Sequence, residues 1–221
     1  MRRARLATPI ALAAAILAVT AWAARSAAGE PGHSAPAAQP APAVHQHQHT
    51  GQAIPGPGDS RGLATQLARA RLATARYATD LRAAKADGYQ IITRMMPDMG
   101  WHFLNPAIQG FDVTRPPILV YERHGRSWQL GALEWVFPMT PTTPPLPGAS
   151  YGSFDAACHY TDGTFVPRKI REHCPGVSPE TGAAFNFWHP DLVTLHVWLW
   201  YPNPAGLYNG TNPYIQPFNR G

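Results

Sequence analysis

Three polar residues stand in segments that are otherwise apolar: His102 in Met99-Gly-Trp-His102-Phe, Glu134 in Leu130-Gly-Ala-Leu-Glu134-Trp-Val-Phe137, and His196 in Leu192-Val-Thr-Leu-His196-Val-Trp-Leu-Trp-Tyr201. Burying a polar group without a partner costs a few kcal/mol, so each must be satisfied by something. Two imidazoles and one carboxylate are a recurring ligand set for a divalent ion such as Zn, Cu, Mn or Fe with coordination positions left open. The expectation is that the three converge as metal ligands. His189, in Trp188-His189-Pro190, opens the segment that leads to His196. It is the candidate catalytic acid–base group, or a fourth ligand. No HExxH spacing links these residues, so the fold alone can bring them together.

Glu122 repeats the anomaly beside Ile118 and Val120. Its place next to a turn gives it a route to water, which makes Glu134 the stronger candidate. Met95, Met96 and Met99 offer thioethers to Cu(I), or simply fill a core. Tryptophans 101, 128, 135, 188, 198 and 200 accompany the polar residues. They predict either an aromatic-lined small-molecule pocket or a tryptophan-rich core. His159 and His173 flank the cysteines and read as surface residues.

Other chemistries are disfavoured. No Gly-x-Ser-x-Gly elbow and no Gly-rich phosphate loop after a strand is present. The two cysteines, Cys158 and Cys174, read as one disulfide, which leaves no free thiol nucleophile. The formal charge of +5 lies partly in Arg2, Arg3, Arg5 and Arg25 near the start. Without a basic block or basic–aromatic alternation, it predicts no nucleic-acid partner.

Basic Arg2, Arg3 and Arg5 precede an apolar run from Leu6 to Ala24 and small residues at Ser26-Ala-Ala28. Residues 1–28 therefore read as a secretory signal peptide, which predicts a secreted or cell-envelope protein. Membrane contact is expected only through that segment, were it to stay uncleaved. Residues 29–58 are rich in Pro, Ala and Gln and predict a disordered linker. Within it, His33 and the alternating His45, His47 and His49 offer a second way to capture Cu or Zn.

Residues 59–221 predict one globular domain. Asp59 or Ser60 can cap a helix whose apolar stripe is Leu63, Leu67, Ala70, Thr74, Tyr77, Leu81 and Ala84, with Gly88 as its stop. Strands are expected at 90–95, 101–104, 118–122, 128–137 and 192–201, with a hairpin turn at 123–126. In the last strand, alternation puts Leu192, Thr194, His196, Trp198 and Trp200 on one face. Residues 158–174 read as a stapled excursion outside the core. The predicted fold class is α+β: one amphipathic helix on a twisted, mainly antiparallel sheet, curled toward a barrel.

Five segments carry a resemblance over about residues 65–215: Met99-Gly-Trp-His102-Phe-Leu-Asn105-Pro106, Pro117-Ile-Leu-Val-Tyr121-Glu122, Leu133-Glu134-Trp-Val136, Cys158-His-Tyr-Thr-Asp-Gly-Thr164 and His196-Val-Trp-Leu-Trp200-Tyr-Pro-Asn203-Pro-Ala-Gly206. With their MG-x-H and HVW-x-W-x-PNP-x-G signatures, they resemble a group of exported bacterial proteins. The shorter Met96-Pro-Asp-Met-Gly-Trp-His102 is also similar to the TTHB210-like group of secreted domains. Both resemblances imply export, and neither supplies catalytic residues. The functional expectation is thus an exported metal-binding protein, metal-dependent if it is an enzyme. A non-catalytic module for a small-molecule ligand, and metal capture by the linker, are the alternatives.

Overall fold

A computed structural model describes residues 57–219. The expected signal peptide lies outside the described residues, as does the linker except for its last two residues, which already belong to the first helix. Helix α1 spans Pro57–Thr74, with proline in its first turn, where a missing N–H is tolerated. The single helix expected as far as Gly88 is broken into two. Thr74 Oγ1 donates back to the Ala70 carbonyl at 2.8 Å, a bond that competes with the helix ladder. A short 3-10 turn, Ala75–Tyr77, follows. Asp80 then starts helix α2, Leu81–Ala86, by accepting from the backbone N–H groups of Arg82 and Ala83. Gly88, at φ +99°, ends it as anticipated. Ala70, Tyr77, Leu81 and Ala84 of the predicted stripe are buried.

The main sheet has six strands: β1 (Gln90–Met96), β2 (Gly100–Leu104), β3 (Ile118–His124), β4 (Ser127–Phe137), β5 (Gly152–Phe154) and β9 (Leu192–Val197). Their spatial order is β1-β2-β3-β4-β9-β5, and every pair is antiparallel. Register shifts in the β1–β2 and β3–β4 pairs add local twist. The sheet curls into a half-barrel. Strands β6 (Ala157–Tyr160), β7 (Phe165–Pro167) and β8 (Phe185–His189) form a second sheet of order β7-β6-β8. Among the described residues the regular structure is mostly sheet with some helix, compatible with the α+β expectation.

The second sheet corrects the reading of residues 158–174 as an excursion. All four residues of β6 are buried. Cys158 and Cys174 form a disulfide that ties β6 to the loop before β8. This small sheet also meets the outer edge of β1, where the Arg94 N–H donates to the Gly163 carbonyl at 2.9 Å.

The two faces of the main sheet differ. Leu119, Tyr121, Leu133, Trp135, Leu195 and Val197 pack with Ala70, Tyr77, Leu81 and Ala84 of the helical segment. The other face carries a smaller apolar group, Ile92, Ile118, Val120, Ala132 and Trp198, under Ile215 of the 3-10 turn Pro213–Phe218. Strand β9 stops at Val197, four residues short of expectation. The N–H of Trp198 turns to the Leu207 carbonyl, and those of Trp200 and Tyr201 turn to that of Gly131. Trp200 consequently leaves the face of His196, and its indole N–H donates to Thr74 Oγ1.

Candidate metal site

Strand alternation and pairing place His102, Glu134 and His196 on the face opposite the helices. Glu134 is the direct cross-strand partner of His196 and of Ile118, while His102 pairs with Val120 on one side and Thr93 on the other. His102 Nε2 reaches across β3 to within 3.6 Å of Glu134 Oε2. That is longer than a hydrogen bond, and it becomes an ion pair only when the imidazole is protonated and the carboxyl ionised. All three residues are buried.

The His102 ring is oriented by Thr93, whose Oγ1 lies 2.7 Å from Nδ1. Nε2 is thereby left pointing toward the carboxylate. Burial pushes the Glu134 carboxyl up to about 8, because the charged form loses its hydration. His196 lies with its ring centroid 6.2 Å from that of His102 and 4.9 Å from the Trp198 ring.

A cavity of about 30 Å³ opens beside this pair, lined by His102, Glu134, Thr93, Thr194, Met96 and Met99 among others. Its volume suits a water molecule or an ion, not a larger organic ligand. Phe154 is its single aromatic lining residue. The expected tryptophan-lined pocket is therefore not at this site: Trp101 and Trp128 pack edge to face in the helix-side core instead. The fold brings His102 and Glu134 together and sets His196 alongside. As they stand, no three His, Cys, Asp or Glu side chains among the described residues are arranged to hold a metal ion.

His189 is placed elsewhere. It ends β8, and its Nε2 lies 3.0 Å from Nε2 of His159. His159 was expected at the surface and is fully buried, because β6 is an interior strand. Its segment is too short to show a period, so only the small residues at 156 and 157 hinted at burial. His173 is exposed, as anticipated.

Glu122 corrects a second expectation. Its side chain has no route to water despite the nearby turn. It fills the space left by Gly100 and Gly131, where an added Cβ would lie 2.9 and 3.1 Å from its Oε1. Neither oxygen accepts a hydrogen bond. Burial pushes this carboxyl, too, up to about 8.

No helix among the described residues is long and apolar enough to cross a membrane. Comparison with protein-family models, with curated proteins and with solved structures finds no match to this chain.

Proposed function

We propose that this is an exported protein that takes up a divalent transition-metal ion between His102 and Glu134. The observation that carries this reading is the 3.6 Å separation of Nε2 and Oε2 beside a cavity of about 30 Å³. With metal–ligand bonds of about 2.0–2.1 Å, that separation corresponds to an angle of roughly 120° at a shared ion. The bond from Thr93 to Nδ1 is the outer contact that fixes a ligating imidazole. Metal binding would also relieve the cost of a buried carboxyl, since a cation favours its charged form. His196 becomes the third ligand by turning its ring toward Glu134, its cross-strand partner. The Met96 and Met99 thioethers at the same cavity suit a softer ion such as copper. Export is supported by the disulfide and by the leader-like start of the sequence.

The test is elemental analysis of the full chain in which His33, His45, His47 and His49 are replaced by Gln, with Zn, Cu, Mn and Fe offered in turn. The expected result is one bound ion, lost in Glu134→Gln with the far-UV spectrum unchanged. Absence of bound metal under all four conditions would overturn the reading and leave His102 and Glu134 as a buried structural pair.

A further inference from the structure

The His159–His189 contact fixes how many protons the two rings share. His159 Nδ1 lies 2.7 Å from the Ile92 carbonyl, and His189 Nδ1 lies 2.6 Å from the Pro190 carbonyl. A carbonyl oxygen only accepts, so both Nδ1 atoms must carry hydrogen. The two Nε2 atoms then face each other at 3.0 Å. Two bare lone pairs at that distance repel, whereas one hydrogen between them makes a normal hydrogen bond. Four ring nitrogens thus hold three protons: one imidazolium donates to one neutral imidazole.

The surroundings suit a single positive charge. Phe187 stacks on the His159 ring at 4.6 Å and 2°, and Phe165 also stacks with it, at 5.6 Å and 24°. Phe154 meets both imidazoles edge to face. Aromatic faces favour a monocation, and Asp191, the carboxylate that acts on His189, is already paired with Lys169. A second proton is a different matter. It would put hydrogen on both Nε2 atoms and two charges side by side in a buried site. Burial already pushes His189 below the usual imidazole range, against an opposing effect of the Pro190 carbonyl and Asp191.

We propose that His159 and His189 form a one-proton clasp that fastens the small sheet to β1 and opens on acidification. The fastening point is the bond from His159 to Ile92, on the edge of β1. The charged groups around it are already engaged. Asp191, next to His189, is paired with Lys169, which also reaches Asp155. On the β1 side, Arg94 is paired with Asp162 and lies near Glu180. His102 and Glu134 lie beyond Ile92 and Phe154, which line their cavity. A group kept from protonation in the fold contributes stability that is present above its unfolded value and lost as pH falls. The clasp therefore weakens as pH drops through and below the ordinary imidazole range. This inference does not depend on metal binding at His102 and Glu134.

The experiment is ¹⁵N-detected NMR of the imidazoles in the full chain treated with EDTA, together with thermal melts at neutral and mildly acidic pH. At neutral pH, three of the four ring nitrogens should be protonated, with one hydrogen shared between the Nε2 atoms. On acidification the wild type should lose roughly 5 °C more in Tm than His189→Phe. Two protonated nitrogens, or a wild-type Tm that falls no further than that of the variant, would overturn the clasp. The same holds if adding Zn or Cu after EDTA removal moves the His159 and His189 signals, since the pair would then be a metal site. Should His189→Phe fail to fold, the proton count in the wild type still decides.

Discussion

Glu134 faces His196 directly across β4 and β9, yet the ring nitrogen 3.6 Å from its carboxylate belongs to His102, two strands away. The diagonal contact passes over β3, whose Val120 pairs with His102 and whose Ile118 pairs with Glu134. Thr93 holds the far side of that imidazole. Thr93→Val keeps the shape and removes the hydroxyl, so the ring loses its fixed orientation. The expected outcome is a roughly 10-fold weaker metal affinity by isothermal titration, with little change in fold. Unchanged affinity would show that the hydroxyl does not position the ring.

Glu122 predicts a pH dependence of a definite sign. Unfolded, its carboxyl titrates near 4.5, and in the fold burial raises it to about 8. Between these values the folded protein keeps a proton that the unfolded chain has released. The stability due to the neutral carboxyl is therefore full below the unfolded value and is lost as pH rises toward 8, at about 1.4 kcal/mol per pH unit. Glu122→Gln should flatten this decline in urea titrations. An identical slope in wild type and variant would exclude Glu122 as its source.

Gly100 has a backbone reason to be glycine. Its φ is +112°, and a Cβ there would lie 2.8 Å from the Tyr121 carbonyl oxygen and 2.9 Å from Glu122 Oε1. Gly100→Ala should cost roughly 3 kcal/mol, from strain and from displacing the buried acid. Denaturant midpoints measure this, and a loss below about 1 kcal/mol would mean that the strand shifts at little cost.

The disulfide closes a short loop, with its cysteines 16 residues apart. Replacing both Cys158 and Cys174 by Ala should cost about 3 kcal/mol. Hydrogen exchange should accelerate first in β6, β7 and β8, because the bond lies in that sheet. Uniform acceleration across both sheets would instead indicate that they unfold as one unit.

Much of the main sheet was legible in the sequence. The runs at 90–95, 101–104, 118–122 and 128–137 are short, rich in branched and aromatic residues and bounded by turn residues, and the glycine at 125 marks the hairpin between the last two with φ +62°. Alternation also placed His196 and Trp198 on one face. It failed at Trp200, because β9 ends where backbone groups find partners in a loop, and periodicity carries no trace of that. The long helix was overextended for a similar reason: the apolar stripe runs through residues 75–80, and only the capping side chain of Asp80 announces the break. The small sheet was illegible because its strands are three to five residues long and are held by a disulfide and aromatic contacts. Convergence of His102 with Glu134 rested on the physical cost of a lone buried charge, whereas the His159–His189 pair needed β6 and β8 to be recognised as neighbours.

Strand β1 forms one edge of the main sheet. The outward Ile92 carbonyl and Arg94 N–H would be a template for a strand of another molecule, and the small sheet occupies both. It works as a stopper against runaway strand addition. Its loss should promote concentration-dependent self-association through that seam.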